Sequence, residues 1–406
     1  MKNVFYPTQG NVPLPNKDVG AIAALRSSVL LDNETRKKTN ITVLSLYGEK
    51  EKKVNEKNKY THYVYIKVPG IIRIIQRVLE FFFSRIPKLK FLQKNKIVQS
   101  IYFVFVSAKY MQNNQYDQIV IDGIPSLMWT LALFGNWKRY YKKVCFVGHN
   151  EVHHFCRSEK LFVCCNKLVG VSDYIAQYFA NRVRLNGQCD VLSIKNPVDP
   201  VCLIENQQVA EKYYNDVLDK YDIKEKKIIL YVGRVVEDKG VEELFNAVQR
   251  LDRDVVLIIC GGSFFKNAQK ETFINNLEMK AAKAKKRTIF TGYIDHDELK
   301  KYYAAADVLV MPSKCNEAAG LVAIEALCNG VPVIASDIGG VREYLEEKAS
   351  ILVSTENLED NLVKALEDIL FDKTLKNLAI AQMDLCRKMF STDRYCEEYQ
   401  AKVYGG

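Results

Sequence analysis

The chain is predicted to fold as two doubly wound α/β domains that face each other across a cleft. Three observations predict it. The length of 406 residues suits two or three ordinary domains better than one. Short apolar runs alternate with stretches of helical period, most regularly in the second half. Between the halves runs Ile194-Lys195-Asn196-Pro197-Val198-Asp199, where Pro197 holds its neighbour extended and suits a hinge. Hydrophobic residues at 48% and charged ones at 26% exclude disordered, collagen-like and fibrous chains. The reading places an N-terminal domain at 1–195, a second domain at 196–385 and a final segment at 386–406.

Taken in order, Val4-Phe5-Tyr6 is a candidate first strand and Gly20 to Leu31 a helix. Ile41 to Leu46, Ile119 to Ile121, Val144 to Val147 and Lys167 to Val171 read as further strands. In the second half Ile228 to Val232 is a buried-strand run ending at Gly233. Lys239 and Gly240 open a helix whose Val241, Leu244, Phe245, Val248 and Leu251 recur at 3–4 spacing. Val255 to Cys260 is the next strand, closed by Gly261-Gly262, then a helix from Glu271 to Lys285 and a strand from Thr288 to Thr291. Asp295 with Glu298 has the spacing of a capping box for a helix from Leu299 to Ala305. Val308 to Met311, Leu321 to Cys328 and Val331 to Ala335 continue as strand, helix and strand. Such repetition implies parallel sheets with right-handed crossovers.

Charge divides the halves. Residues 1–195 hold 30 Lys+Arg against 13 Asp+Glu, whereas residues 196–406 hold 28 against 35. A basic first half suits an anionic partner. The densest stretch lies within 71–105, where Arg73, Arg77, Arg85, Lys88, Lys90, Lys94 and Lys96 meet the single acid Glu80. Interleaved with them are Ile71, Ile74, Val78, Phe81, Phe82 and Phe83. A basic amphipathic helix of this kind lies in the headgroup plane of an anionic membrane, which gives a peripheral association at the inner face of the plasma membrane. The alternative is a helix whose apolar stripe packs on its own domain. Nucleic acid is not expected, because no recognition module and no regular aromatic interleaving appear. The apolar runs are too short or too charged to span a bilayer, and no cleavable leader pattern follows Met1. The 11 cysteines, without a CxxC pair, suit buried thiols in a cytoplasmic protein.

The strongest chemical signal is Glu317-Ala318-Ala319-Gly320-Leu321-Val322-Ala323-Ile324-Glu325, two glutamates with seven residues between them. It follows the strand Val308 to Met311 and Pro312-Ser313, so Glu317 belongs to the loop at the strand's carboxyl end. Glu325 sits within the next helix, up to ~12 Å away at about 1.5 Å of rise per residue. That span resembles the distance from sugar to ribose in a nucleotide sugar. The amides of Gly320, Leu321 and Val322 at the helix start would then meet the diphosphate. The partner signal is Gly233-Arg234-Val235-Val236-Glu237-Asp238-Lys239-Gly240, with Arg234 just after a strand and Lys239 at a helix start. Two fixed cations there would stabilise a departing nucleoside diphosphate. Taken singly, these glutamates and cations also suit a solvated surface.

With these pieces the chain resembles the family 4 glycosyltransferases, retaining enzymes with two Rossmann-like domains, the GT-B fold. The matching residues are Gly233-Arg234 with Lys239, Gly261-Gly262, Phe290-Thr291-Gly292-Tyr293, Ala306-Asp307-Val308, Glu317 through Glu325, Gly330 through Ser336, and Gly339-Gly340. The resemblance is specific over about 190–355 and looser before it. It implies that Glu325 binds the ribose hydroxyls, that Glu317 contacts the donor sugar, and that Arg234 and Lys239 hold the diphosphate. Gly233, Gly262 and Tyr293 complete the implied nucleotide site, and Gly20 is the best match to a glycine turn near the acceptor. The sequence departs from the family at Ala318-Ala319, where bulkier residues are usual. The resemblance also implies that the last segment, Ser391 to Tyr404, crosses back to the first domain.

His149 ends the strand Val144 to Val147 after Gly148, and a loop histidine here implies a contact with sugar or acceptor by the same resemblance. A structural histidine is the alternative, and the order His149-Asn150-Glu151-Val152-His153 is not that of a zinc HExxH site. Asp252-Arg253-Asp254 and Asp295-His296-Asp297 imitate a metal-binding DxD. The first precedes its strand and the second is accounted for by capping, so no metal and no cofactor are expected. The expected activity is retaining transfer of a sugar from a nucleotide sugar, UDP-linked, to a glycan or lipid-linked glycan acceptor in surface polysaccharide synthesis. The rivals are a nucleotide-sugar epimerase or phosphorylase on the same fold, and a non-catalytic partner subunit.

Overall fold

The computed structural model describes residues 1–16, 20–85, 96–184, 189–224, 226–262 and 268–405. The chain divides into two compact units, Met1–Ile194 with Cys396–Gly406, and Lys195–Tyr395. The division at Ile194 falls just ahead of Pro197. Lys88, Lys90 and Lys94 of the basic stretch lie outside the described residues.

The first unit is built on β1 (Lys2–Pro7), β2 (Thr39–Leu46), β3 (Thr61–Ile66), β4 (Gln118–Asp122), β5 (Val144–Gly148), β6 (Cys165–Gly170) and β7 (Asp190–Ser193). They form one sheet in the order β3-β2-β1-β4-β5-β6-β7, every neighbouring pair parallel. The second unit holds β8 (Lys227–Val232), β9 (Val255–Cys260), β10 (Arg287–Gly292), β11 (Val308–Met311), β12 (Val333–Ser336) and β13 (Ser350–Val353). Their order is β10-β9-β8-β11-β12-β13, again parallel throughout. The predicted class, two Rossmann-like parallel-sheet domains, is the observed one.

Central strands such as β4, β9 and β11 are buried along their whole length, which is why they read as unbroken apolar runs. The helix Val241–Arg250 turns Val241, Leu244, Phe245 and Val248 into the core against Ile229, Val255 and Leu257. Strands β3, β7 and β13 are absent from the sequence reading. All three are edge strands, and their apolar runs, Tyr63 to Ile66, Val191-Leu192 and Ile351 to Val353, are short and mostly half-buried.

The capping box proposed for the helix Leu299–Ala305 does not form. Glu298 stands at the N-cap without a side-chain bond, its carboxylate instead meeting Lys301 Nζ at 2.6 Å. Asp295 contributes only its carbonyl, which accepts from the Glu298 amide at 2.9 Å.

The last segment is shared between the units. Residues 386–395 stay with the second, where Arg387 Nε donates to the Cys328 carbonyl at 2.7 Å and Arg394 Nη2 to the Lys195 carbonyl at 2.6 Å. From Cys396 the chain is part of the first unit, with Gln400 Nε2 donating to Asn33 Oδ1 at 3.1 Å.

The basic apolar stretch forms the helices Gly70–Arg85 and Ile97–Asn113, which pack on each other. Its orientation is unusual. Ile71 is 67% exposed, Ile74 61% and Phe82 54%, while the one buried residue of the first helix is the polar Gln76. Gln76 accepts from the Val98 amide at 2.8 Å and donates to Glu80 at 2.8 Å. The apolar face therefore points away from its own domain. None of the described helices is long and apolar enough to cross a membrane.

Candidate functional site

In a parallel sheet of this kind the strand order reverses once, and the loops on either side diverge there to leave room for a ligand. In the second unit the reversal lies between β8 and β11. The loop after β8 is Gly233 to Gly240, and the loop after β11 is Pro312 to Gly320. Both predicted chemical motifs therefore meet at the same carboxyl edge.

The two loops are bound together. The Asp238 carbonyl accepts from the amides of Lys314 at 2.8 Å and Cys315 at 3.3 Å. Gly240, at φ +66°, passes so close that a Cβ there would lie 1.9 Å from the Pro312 carbonyl oxygen. On this frame Lys239 Nζ reaches Glu317 Oε1 at 2.5 Å, and Ser313 Oγ donates to the same oxygen at 2.6 Å. Gly340 donates its amide to the Glu317 carbonyl at 2.8 Å, which fixes the backbone beneath that carboxylate. Tyr231, at the end of β8, donates its hydroxyl to the Arg234 carbonyl at 2.6 Å. Burial pushes the Tyr231 phenol far above its ordinary range, and the charges of Glu317 and Arg234 both act on it. Arg234, Lys239 and Glu317 thus occupy one neighbourhood around Tyr231.

The neighbouring strand ends extend this edge. Gly261 donates its amide to the Gly292 carbonyl at 2.9 Å, and Val235 to the Gly262 carbonyl at 3.4 Å. Gly233 donates to the Cys260 carbonyl at 3.0 Å, and Tyr293, which follows β10, is 66% exposed. Gly320, at φ +68°, is the N-cap of the helix Leu321–Cys328, without a side-chain cap. The amides of Leu321 and Val322 belong to its first turn, where no intrahelical partner exists for them.

Glu325 lies elsewhere on the same helix and is buried. Its Oε2 accepts from the Tyr303 hydroxyl at 2.7 Å, and its Oε1 faces His296 Nε2 at 3.2 Å. The hydrogen bond to Glu325 raises the His296 pKa above its ordinary value. Burial, with Glu325 beside it, pushes the Tyr303 phenol well up. Among the described residues this unit therefore holds two such groups: Arg234, Lys239 and Glu317 at the strand reversal, and Glu325 with His296 and Tyr303 along the helix.

In the first unit the strand order reverses between β1 and β4, and a second polar group stands there. Asp122, the last residue of β4, is fully buried and accepts from Arg26 Nη2 at 3.0 Å and from the Tyr6 hydroxyl. His149, also buried, places Nε2 2.6 Å from Asp122 Oδ1, and Tyr399 donates to Oδ2 at 3.3 Å. Burial alone would raise the Asp122 carboxyl; Arg26 and then His149 more than offset it, holding it far below the carboxylate range. His149 Nδ1 is buried without a hydrogen-bond partner among the described residues. Gly20, at φ +99° and exposed, precedes the helix Ala21–Arg36 that carries Arg26.

The residues that sequence reasoning missed are those that hold others in place. Ser313, Tyr231 and Tyr303 read as loop or core filler, and Arg26 is one cation among many. Asp122 carried a usable signal, an acid closing the apolar run Ile119 to Ile121 at a strand end.

Residues 216–382 match the family model described as glycosyl transferases group 1. Among curated proteins, the putative glycosyltransferase YtcC of Bacillus subtilis is 30% identical over 186 residues, covering 45% of this chain and 45% of that protein. The D-inositol 3-phosphate glycosyltransferase of Corynebacterium glutamicum is 39% identical over 120 residues, 28% of each chain. The chain thus spans less than half the length of these relatives. Among solved structures, Anabaena HepE in complex with UDP superposes over 100% of both chains with a TM-score of 0.67 at 15% identity, a likeness of fold.

Proposed function

We propose that the chain is a retaining glycosyltransferase of the family 4 kind that moves a sugar from a UDP-sugar to a glycan acceptor. The observation that carries this reading is the Lys239–Glu317 ion pair, with Arg234 on the same loop as Lys239, where the strand order of the second unit reverses. A carboxylate and two cations at that place suit a polar sugar joined to a diphosphate. Support comes from the group 1 match over residues 216–382 and from the fold shared with HepE, whose structure contains UDP.

In this reading Arg234, Lys239 and the amides of Gly320, Leu321 and Val322 take up the charge that grows on the diphosphate. The bond from the anomeric carbon to the phosphate oxygen breaks, and its electron pair stays on the diphosphate. The acceptor hydroxyl bonds to the anomeric carbon on the same face and passes its proton to the leaving phosphate. Protein cations do the electrostatic work, so transfer needs neither metal nor cofactor. Glu317 orients the sugar hydroxyls and Glu325 the ribose, with Gly233, Gly262 and Tyr293 shaping the nucleotide site. His149 is assigned a contact with sugar or acceptor and Gly20 a place in the acceptor turn. The domain 1–195 binds the acceptor, 196–385 binds the donor, and 386–406 joins the two.

The acceptor is a lipid-linked glycan in surface polysaccharide or glycoconjugate synthesis, and the protein works on the cytoplasmic face of the plasma membrane. The exposed Ile71, Ile74, Phe81 and Phe82 support this placement, since a face of that size suits the acyl boundary, with Arg73 and Arg77 against anionic headgroups. A thermal-shift series with UDP, GDP, ADP and TDP tests the donor: UDP raises the melting point and the others raise it less. No shift with any of them contradicts the reading. The configuration of the product, followed by NMR, tests retention.

A further inference from the structure

We propose that Cys202, His296 and Glu325 form a binding site for a zinc-class divalent cation in the second unit. One ligand atom from each residue lies within 4.8 Å of the other two. Ligand atoms on a tetrahedral zinc ion stand roughly 3.3–3.8 Å apart, given metal bonds of about 2.0–2.3 Å. Closing the set takes about 1 Å of side-chain movement by that comparison, and His296, with its side chain 48% exposed, has room to make it.

The surroundings are those of a built site. Asn329 Nδ2 donates to the carbonyl of Cys202 at 3.0 Å and to that of Glu325 at 2.9 Å, so one side chain ties the backbones of two ligands together. Tyr303 holds Oε2 of Glu325 at 2.7 Å and leaves Oε1 directed at His296, as a partner behind a ligating carboxylate does. The carboxylates of Asp199 and Asp297 act on both Cys202 and His296 and add negative potential, against which Lys300 is engaged by Glu205 at 2.7 Å. A set of one sulfur, one imidazole nitrogen and one carboxylate oxygen selects zinc or cobalt over magnesium or calcium. On binding, the thiol proton leaves to solvent and the metal takes the Oε1 lone pair that now faces His296. Three protein ligands leave a fourth position for water.

This site is distinct in role from the metal-free transfer chemistry. On the nucleotide reading above, Glu325 serves the ribose hydroxyls, and a cation on Oε1 competes with them. The competition rests on that reading; the cation site does not. The DxD-like triplet therefore matters through its central His296, not through its two aspartates.

The test uses the full chain and Co2+ as the probe, read by the thiolate-to-cobalt absorption band and by displacement with Zn2+. Other thiols give a background, since Cys156 is exposed and Cys315 partly so. The wild type is expected to bind one equivalent whose band Cys202→Ser abolishes. His296→Ala, at a half-exposed position that leaves the fold intact, weakens binding at least tenfold, since loss of a group behind the ligands alone costs about 10–100-fold. A band unchanged in both variants, or none in the folded wild type, overturns the site. In a second arm, saturating Zn2+ raises the Kd for UDP in the wild type. A cobalt band with no effect of Zn2+ on UDP overturns the competition alone. UDP failing to bind while the band persists overturns the nucleotide reading and supports the cation site.

Discussion

Lys239 Nζ and Glu317 Oε1 stand 2.5 Å apart although 78 residues of sequence separate them. The contact exists because β8 and β11 are neighbours, so the loop leaving each is delivered to the same place. Neither side chain is fully exposed, which makes their coupling stronger than that of a surface pair. Lys239→Ala and Glu317→Gln are each expected to lower kcat for transfer by about 10²–10³-fold. The double variant is expected to be no worse than the weaker single one, because the two act as a unit. Initial rates of the four proteins check this, and effects that simply multiply would contradict it.

Asp122 gives the first unit a defined response to acid. Its folded pKa lies far below the unfolded value, so its contribution to stability is fully present above about pH 5. That contribution fades as pH falls below about 4 toward the folded pKa. Asp122→Asn leaves the buried Arg26 without a counter-charge, and the expected loss at pH 7 is about 3–5 kcal/mol. Denaturant melts of the two proteins between pH 7 and pH 3 should show the gap narrowing with acid. A constant gap would contradict the ion-pair account.

Gly261, without a side chain, lets the end of β9 lie against the loop that carries Arg234. At φ +147°, a Cβ there would lie 1.8 Å from the Gly233 carbonyl oxygen. Gly261→Ala is expected to lower the melting temperature by several degrees, from strain of about 1–3 kcal/mol or more, and to weaken UDP binding by displacing Gly233. Thermal melts and a UDP titration of the variant check both effects.

The apolar face of the helix Gly70–Arg85 is expected to hold the protein on anionic vesicles. Ile74→Glu with Phe82→Glu removes two large side chains, each of which contributes about 1.5–3 kcal/mol when buried. The vesicle-bound fraction should fall at least tenfold in a co-sedimentation assay, while the melting temperature stays put because both residues are already exposed. A lowered melting temperature with unchanged sedimentation would assign the face to packing instead.

Much of the fold was legible because central parallel strands are buried on both faces and so announce themselves as apolar runs, as at Val255 to Cys260. Strands β3, β7 and β13 escaped for the converse reason, lying at the sheet edges. The candidate site was legible where a charged residue interrupts a strand-to-helix junction, as at Arg234, Lys239 and Glu317. Residues whose role depends on distant partners left no local mark: nothing in the sequence around Tyr303 tells that its hydroxyl holds Glu325, and Cys202 and His296 lie 94 residues apart. The capping spacing at Asp295 and Glu298 misled because Lys301 offered Glu298 a charged partner on its own helix.

Titration calorimetry of UDP into the wild type, Arg234→Ala and Glu325→Gln probes the proposed nucleotide site at both ends. Saturable one-to-one binding is expected, with the Kd raised at least tenfold in each variant, as the loss of a hydrogen bond to a charged group of about 1.5–3 kcal/mol implies. A wild type that takes up no UDP, or two variants that bind it as the wild type does, would contradict the account.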